Sequence, residues 1–381
     1  MITMKTASHL VEARRTLHSK PELSGQEQET QAFIQSFLEQ RIGRQGRSVG
    51  QYGVLLDFDF GDGPSILVRV DIDALPIEEI NTFDHKSTKA GVSHKCGHDG
   101  HTTIGLGLAE RLHEEALSGG KVSILFQPAE EIGEGAKGVL ADDSFDVSSY
   151  DHAIALHNIP GAPMHQLLYK TESFTPAVHS LIVKLQGKTS HAAEPLKGNN
   201  PSYAIADIIA FAKANEQTDE EHTDYHLLTP VHVMIGSQDY GISAGYGEIH
   251  FTIRSWTQET MEAATERLKA YINERTSEDQ LGVTYEITAA FAANKNDEGV
   301  VAHIRKAGEI LGLSMKEKSE PFPWGEDFGL FTQHIPGAML GLGSGEDTPA
   351  LHNPDYDYPD EITATGVALF YETVKSMIND V

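Results

Sequence analysis

Four short, mainly apolar runs most constrain the fold of this chain. Runs of this length and composition are typical of strands that are buried on both faces, as in a parallel sheet covered by helices. Between them lie segments with apolar residues at i, i+3 and i+4, which predict amphipathic helices. The alternation predicts an α/β fold: an α/β/α domain with a largely parallel central sheet. The runs are SILVRV (65–70), KVSILF (121–126), HAIAL (152–156) and AMLGLG (338–343).

The pattern changes between residues 175 and 291. There the order of predicted elements is β-α-β-β-α-β, which is typical of a ferredoxin-like α+β unit. A chain of 381 residues is also too long for one compact core. We therefore expect a first domain made of residues 1–174 and 292–381, with residues 175–291 inserted into it as a second domain.

Composition excludes several classes of function. The formal net charge is −27, from 56 acidic and 29 basic residues, and such a surface repels nucleic acid. The single cysteine, Cys96, cannot form an intramolecular disulfide, which fits a reducing compartment. We find neither a signal-peptide pattern nor an apolar stretch approaching the roughly 20 residues of a membrane span. We expect a cytoplasmic protein that binds neither membrane nor nucleic acid.

Polar residues follow each apolar run, at the point where the predicted strand ends. In open α/β sheets, ligands bind beyond the carboxyl ends of the strands. Each residue alone has an ordinary structural explanation as a cap, a turn or a surface charge. Their joint placement at one edge of the sheet favours a functional site. The residues are Asp71, Asp73, Glu130, Glu131, His157 and His352.

The stretch SHKCGHDGH (93–101) surrounds the only cysteine with histidines. Cys96 is interpretable as a buried apolar residue, as a nucleophile with His94 or His101 as its base, or as a metal ligand. Asp99 is in the position of an N-cap for the helix predicted over 101–118. The stretch alone does not decide between these interpretations.

Metal-assisted hydrolysis accounts for most of these residues together. Thiolate, imidazole and carboxylate groups are ligands of zinc-type ions, and a carboxylate beside the metal can act as the base for water. Glu130 and Glu131 are adjacent, so in extended backbone one can face the metal and the other the water. A cysteine amidase would leave both glutamates without a role. A third hypothesis is a metal- or peptide-binding protein without turnover.

With its motifs in this order, the chain resembles a family of metal-dependent amidohydrolases. The family includes hippurate hydrolase, the indole-acetyl-amino-acid hydrolases and N-acetyl-diaminopimelate deacetylase, and it belongs to the aminoacylase/carboxypeptidase superfamily of co-catalytic metallopeptidases. The resemblance covers nearly the whole chain. The motifs that carry it are RRTLHSKPELSGQEQET, VDIDALPI, KCGHDGHT, FQPAEE, ALHNIPG, SHAAEP, WGEDFG and LHNPDYDY.

The resemblance implies both an activity and an architecture. The expected reaction is hydrolysis of the amide bond of an N-acyl or N-aroyl amino acid, with a dipeptidase or a carbamoyl-amino-acid hydrolase as the alternative. The expected cofactors are two divalent ions per subunit, of zinc, manganese, cobalt or nickel. The expected fold is zinc-exopeptidase-like, and the inserted domain matches a lid through which relatives dimerise. A homodimer is therefore expected.

The resemblance also assigns roles to individual residues. Glu130 matches the general base, and Asp71 matches a catalytic position that orients the site. Asp73 and Asp99 are expected to support the ligands. His191 matches a histidine that completes the site, in relatives from the partner subunit, and Arg254 matches an arginine that binds the substrate carboxylate. The matching metal ligands, with the cysteine in the bridging place, are Cys96, His98, Glu131, His157 and His352.

Three segments depart from the family pattern. IGEGAKG (132–138) replaces a Gly-rich run, HAAEPL (191–196) differs after its first three residues, and GISA (241–244) has Gly241 where relatives have asparagine. The last two belong to the predicted lid, on the substrate side in relatives. The metal chemistry is therefore expected to follow the family, while the pocket that selects the substrate is expected to differ.

Overall fold

The computed structural model of the protein describes residues 5–380, and packing divides them into two compact units. The first unit runs up to Phe174 and resumes over Asn294–Ser319 and from Glu326 onward. The second comprises Thr175–Ala293 and Glu320–Gly325. Within residues 5–380, the helices are all too short or too polar to cross a membrane.

The helices and strands follow in chain order. The helices are α1 (Ser8–Ser19), α2 (Gln28–Ile42), α3 (His98–Glu114), α4 (Gly135–Leu140), α5 (Ser202–Ala214), α6 (Gln258–Glu278), α7 (Glu298–Ile310), α8 (Gly329–Thr332) and α9 (Thr363–Asn379). The strands are β1 (Arg47–Val49), β2 (Gly53–Asp59), β3 (Ser65–Asp71), β4 (Lys121–Gln127), β5 (His152–Ile159), β6 (Leu167–Tyr169), β7 (Glu172–Thr175), β8 (Ala177–Gln186), β9 (Ser190–His191), β10 (His226–Ile235), β11 (Ile242–Ser243), β12 (Tyr246–Ser255), β13 (Gly282–Phe291), β14 (Asn294–Asn296), β15 (Met315–Glu317) and β16 (Gly337–Gly343).

The first unit is built on a mixed sheet. Over the described residues its eight strands lie in the order β1-β2-β4-β3-β5-β16-β6-β15. The four central strands, β4, β3, β5 and β16, are parallel to one another. They are the four apolar runs of the sequence, and nearly every residue in them is buried. The predicted α/β fold with a largely parallel central sheet is confirmed.

Helices α3 and α9 cover much of the apolar surface of this sheet. Leu106, Leu108, Leu369 and Phe370 belong to the same buried cluster as the central strands, and each is essentially inaccessible to solvent. The longer predicted helices are present with shifts of a few residues; α3, for example, begins at His98 rather than at residue 101. The strands of two to four residues were not predicted, because so few residues carry little periodicity. Helix α1 was not predicted either, although its buried residues Leu10, Ala13 and Leu17 have helical spacing.

The second unit has the element order β-α-β-β-α-β. Over its described residues, four antiparallel strands lie in the order β10-β12-β8-β13. Strand β12 alternates strictly between buried and partly exposed residues. Its buried residues share a core with α5 and α6, which leaves the polar side chains of β12 on the opposite face of the sheet. Residues 320–325 belong to this unit, where Phe291 packs beside Gly325. The sequence analysis assigned these six residues to the first domain.

Candidate metal centre

Residues at the carboxyl ends of the four central strands converge in the first unit. Strand β3 ends at Asp71, and a 3₁₀ turn at Glu130–Ile132 follows β4. His157 lies near the end of β5, and the loop after β16 carries His352. The parallel arrangement places these ends at one edge of the sheet, as expected from the order of elements. The side chain of His352 is 52% exposed, whereas His157 is buried.

A tight turn aims Cys96 and His98 at the same edge. Gly97 between them has φ of +98°, a left-handed conformation that favours glycine. A Cβ at Gly97 would lie 2.7 Å from Oδ1 of Asn158, so the turn also depends on the absence of a side chain. Gly97, not Asp99, is the N-cap of α3, and the N-cap interpretation of Asp99 is wrong: its carboxylate pairs with His18 instead.

Two groups of donor atoms share Cys96. The donor atoms of Cys96, His98 and His157 lie within 4.8 Å of one another, with Sγ of Cys96 3.5 Å from Nε2 of His157. The donor atoms of Cys96, Glu131 and His352 form a second such group. The carboxylate of Glu131 is 3.7 Å from Nε2 of His98 and 3.6 Å from Nε2 of His352. The arrangement offers two ion positions with the thiol between them.

Hydrogen bonds set the tautomers of both buried histidines. Nδ1 of His98 donates to the carbonyl oxygen of Asp73 at 3.0 Å, with Oδ1 of Asp73 at 3.1 Å. Nδ1 of His157 donates to the carbonyl oxygen of Asn158 at 2.8 Å. Nε2 of each ring is therefore the nitrogen left for a metal ion, whose binding requires that nitrogen to be unprotonated. Nε2 of His98 and Oε1 of Glu131 are buried and accept no hydrogen bond among the described residues.

Asp73 supports two of the donors at once. Besides its contact with His98, its Oδ2 accepts hydrogen bonds from Oγ of Ser24 at 2.6 Å and from the backbone N of Glu131 at 3.0 Å. Its carboxylate thereby orients the His98 ring and the start of the turn that carries both glutamates. This is how a residue behind a metal ligand usually acts.

The acidic groups around Cys96 lie close enough together for a cation to stabilise them. Burial raises the pKa of the Cys96 thiol well above its usual range, and Glu131, Glu130 and Asp71 raise it further. Burial likewise raises the pKa of Glu130 well above its ordinary value and that of Glu131 to about 7. A divalent ion offsets such repulsion and keeps its ligands deprotonated. The donor set therefore fits the two divalent ions that the sequence predicts.

Asp71 is held in place from two sides. Its Oδ1 accepts a hydrogen bond from Nδ1 of His101 at 2.6 Å, and its Oδ2 accepts one from Nη1 of Arg69 at 2.6 Å. Burial opposes ionisation, but His98, His101 and Arg69 hold the pKa of Asp71 well below its usual range. Oδ1 also lies 3.8 Å from Nε2 of His98, so the carboxylate borders the ligand group.

Arg69 is a site residue that sequence reasoning missed. It lies inside β3 with no exposed surface, and its Nη2 is 2.9 Å from Glu326 and 2.8 Å from Asp327. Glu326 is in turn one of the carboxylates that raise the pKa of Glu130. The signal was an arginine within an apolar run, because a fully buried charge requires a partner.

A second missed group links α1 to both ligand-bearing loops. The buried ring of His18 bridges Asp99 at 2.8 Å and Glu79 at 3.0 Å. Nζ of Lys95 lies 2.5 Å from Glu79, and the carbonyl oxygen of Lys95 accepts a hydrogen bond from the backbone N of His352 at 2.7 Å. The group therefore braces the stretch before Cys96 and the loop of His352 against one helix.

His191 and Arg254 lie in the second unit. His191 is exposed on β9, directly opposite Ile242 of β11, so two of the three segments that depart from the family pattern pair with each other. The backbone N of Ala192 donates to the carbonyl oxygen of Gly241 at 2.9 Å. Arg254, near the end of β12, donates through Nη1 to the carbonyl oxygen of Pro323.

Comparison with known proteins supplies relatives for both units. The sequence model of peptidase family M20/M25/M40 matches residues 67–376. The N-acetyl-L-cysteine deacetylase of Bacillus subtilis is 32% identical, with 97% of this chain and 88% of that protein aligned. An IAA-amino acid hydrolase of Arabidopsis thaliana is 29% identical, with 94% and 83% aligned. A crystal structure of a Bacillus subtilis dinuclear metal-binding peptidase from family M20 superposes with a TM-score of 0.84 at 26% identity, covering 98% of this chain and 99% of that one.

Proposed function

The chain belongs to peptidase family M20/M25/M40, and from that premise we propose that it hydrolyses the amide bond of N-acyl or N-aroyl amino acids. It is an enzyme that acts on amide bonds with two divalent metal ions. The observation that carries the proposal is the pair of three-donor groups joined at Cys96, with Glu130 directly beside them. Deacylases among its relatives support the choice of substrate class.

The proposed ligands divide into two sets. Cys96, His98 and His157 would hold one ion, and Cys96, Glu131 and His352 would hold the other. Sulfur, imidazole and carboxylate donors together suit zinc, manganese, cobalt or nickel. When bound, the two ions act as Lewis acids towards the attacking water and the scissile carbonyl.

Glu130 is the proposed general base. Its Oε2 lies 3.9 Å from Nε2 of His98, so its carboxylate borders the ion positions without completing either donor group. Glu130 accepts a proton from the attacking water as the water oxygen adds to the carbonyl carbon. It then donates that proton to the amine nitrogen as the C–N bond breaks, and the products are a carboxylic acid and an amino acid. Without ions, burial and then Glu326 raise the pKa of Glu130, and the positive charge of bound ions would favour its ionised form, which accepts the proton.

The remaining assignments concern the second unit and the assembly. We propose that Arg254 binds the substrate carboxylate and that His191 completes a site, with the second unit acting as a lid and as the contact of a homodimer. Family resemblance and the half-buried guanidinium of Arg254 support this. A cytoplasmic location is proposed from the lone reduced cysteine.

The general base is tested by Glu130→Gln. The variant keeps the size of the side chain but cannot accept the proton, so we expect kcat to fall by about 10²–10⁴-fold with both ions still bound. Glu134→Gln, an exposed carboxylate paired with Lys137, is the matched control and should leave kcat unchanged. Hydrolysis would be measured on a panel of N-acetyl and N-aroyl amino acids, with metal content by elemental analysis. Unchanged turnover in Glu130→Gln, or full activity after exhaustive chelation, contradicts the mechanism.

A dipeptidase or carbamoyl-amino-acid hydrolase is the second candidate. The observation behind it is the pairing of β9 with β11, which brings the two altered lid segments side by side, so a change in substrate class would involve both. Dipeptides and N-carbamoyl amino acids belong in the same substrate panel. If a dipeptide or an N-carbamoyl amino acid has a higher kcat/KM than every N-acyl amino acid in the panel, the second candidate function replaces the first.

A further inference from the structure

The polar face of the four-stranded sheet in the second unit carries three groups that ligate transition metals. Residues of β12 alternate, and Ile249 and Phe251 face the core shared with α5 and α6. Glu248 and His250 therefore lie together on the opposite face. His232, on the neighbouring strand β10, is directly opposite His250 in the register.

The three donor atoms are close to the spacing of a metal site. Oε1 of Glu248 is 3.8 Å from Nε2 of His232 and 3.6 Å from Nε2 of His250. All three donor atoms lie within 4.8 Å of one another. At metal–ligand distances of about 2.0–2.2 Å, the donors of a tetrahedral zinc site are about 3.3–3.6 Å apart. Small rotations of the two histidine side chains close the site.

Of the two partly buried donors, Glu248 is already oriented, and His250 has a buried nitrogen without a partner. The hydroxyl of Tyr246 donates to Oε2 of Glu248 at 2.7 Å, which leaves Oε1 directed towards the histidines. Nε2 of His250 is buried and has no hydrogen-bond partner among the described residues. A buried polar atom without a partner is uncommon, and an ion would satisfy it. The hydrogen bond from Tyr246 is the kind that positions a ligating carboxylate.

The lysine beside Glu248 is paired with another carboxylate. Lys184 of β8 is opposite Glu248 in the register, but its Nζ lies 3.1 Å from Glu286 of β13, on the other side. The side chain of His232 is 52% exposed, so an ion reaches the group directly from solvent. Pairing of β10 with β12 is irregular between Pro230 and His232. An ion held here would join the two strands at that irregularity.

We propose that His232, Glu248 and His250 form a binding site for one divalent transition-metal ion, which has no residue in common with the metal centre of the first unit. Two imidazoles and one carboxylate favour zinc, nickel or copper over magnesium and calcium, which prefer oxygen ligands. Three protein donors leave a fourth position for water. The ion acts as a structural link between the edge strand β10 and β12.

The test compares ion counts in full-length protein without a histidine tag. Wild type and a double variant carrying His232→Asn and His250→Asn are dialysed against buffered zinc, and zinc per chain is measured by elemental analysis. We expect the double variant to hold one ion fewer while keeping its turnover. His222→Asn, an exposed turn histidine of the same unit, is the matched control and should lose none.

A milder variant tests the geometry rather than the donors. Tyr246→Phe keeps all three ligands but removes the hydrogen bond to Glu248, so zinc affinity at this site should fall by about tenfold in a calorimetric titration. Equal ion counts in wild type and double variant overturn the proposal. The proposal is also wrong if the protein binds an ion beyond the two of the metal centre and both Tyr246→Phe and the double variant bind it as tightly as wild type.

Discussion

At the scale of single residues, Gly97 decides whether Cys96 and His98 can reach the same ions. We expect Gly97→Ala to lower the free energy of unfolding by more than the roughly 1–2 kcal/mol of a left-handed alanine, because its Cβ would also collide with Asn158. Zinc affinity of the centre should fall with it. Calorimetric zinc titration and urea unfolding measure the two effects.

Gly61→Ala provides the control for that variant. Gly61 has φ of +110° and no atom within 4 Å of an added Cβ, so only the backbone conformation is penalised. If both variants lose the same stability and neither loses zinc affinity, the close approach to Asn158 has no role in holding the turn.

Arg69 is the buried counter-charge of three carboxylates. Arg69→Met keeps the volume but leaves Asp71, Glu326 and Asp327 without their cation, so we expect a loss of about 3–5 kcal/mol in the free energy of unfolding. Arg41→Met, which removes a surface pair with Glu110, should lose at most about 1 kcal/mol. Equal losses in urea unfolding would mean that the buried cluster does not depend on Arg69.

At the scale of elements, α1 is tied to the metal centre through the protonated ring of His18. Burial lowers the pKa of His18, but hydrogen bonds to Asp99 and Glu79 outweigh this and raise it from 6.5 to about 9. A raised folded-state pKa means that the stabilisation is complete below pH 6.5 and is lost as the pH rises through about 9. The titratable and charged groups facing His18 are Arg14, Glu79, His85, His94, Asp99 and Asp357.

The corresponding prediction compares wild type with His18→Asn. Between the two pKa values, the stability difference should shrink by about 1.4 kcal/mol for each pH unit. Urea unfolding at several pH values from 6.5 to 9 measures it. A difference that stays constant over this range would show that His18 is neutral in the folded protein.

At the scale of the whole molecule, metal ions offset a concentration of negative charge inside an already acidic chain. Removing the ions leaves Glu130, Glu131 and Asp71 facing one another around Cys96. Ions present at about a thousand times their dissociation constant stabilise the native state by about 4 kcal/mol, so chelation should lower the melting temperature by several degrees. Added zinc should restore it in a calorimetric scan.

Removal of the metal ions can also be measured through the thiol of Cys96, because it is the only cysteine in the chain. A thiol reagent should react slowly with the metal-loaded protein and faster after chelation, since a liganded thiolate is protected. Reaction at equal rates in both states would place Cys96 outside the ligand set.

The fold was predictable where local pattern and burial agree. Strand β4 matches its predicted apolar run to within one residue, because a continuous apolar run marks a strand that is buried on both faces. The convergence of polar residues was predictable too, because carboxyl ends of parallel strands share one edge. The short strands were not predicted, since two to four residues are too few to show a period.

Local sequence was therefore enough to predict the α/β fold, the edge of the sheet that carries the candidate site and the residue types that form this site. Only the tertiary structure decided which charged groups pair. Arg69 pairs with Glu326, 257 residues later in the chain, and Arg14 pairs with Asp360, 346 residues later. It alone placed His232 opposite His250, which no short-range pattern indicates. The physical reason is that periodicity reports whether a side chain is buried, whereas the partner of a buried charge or a metal ligand depends on distances that exist only once remote segments have packed together.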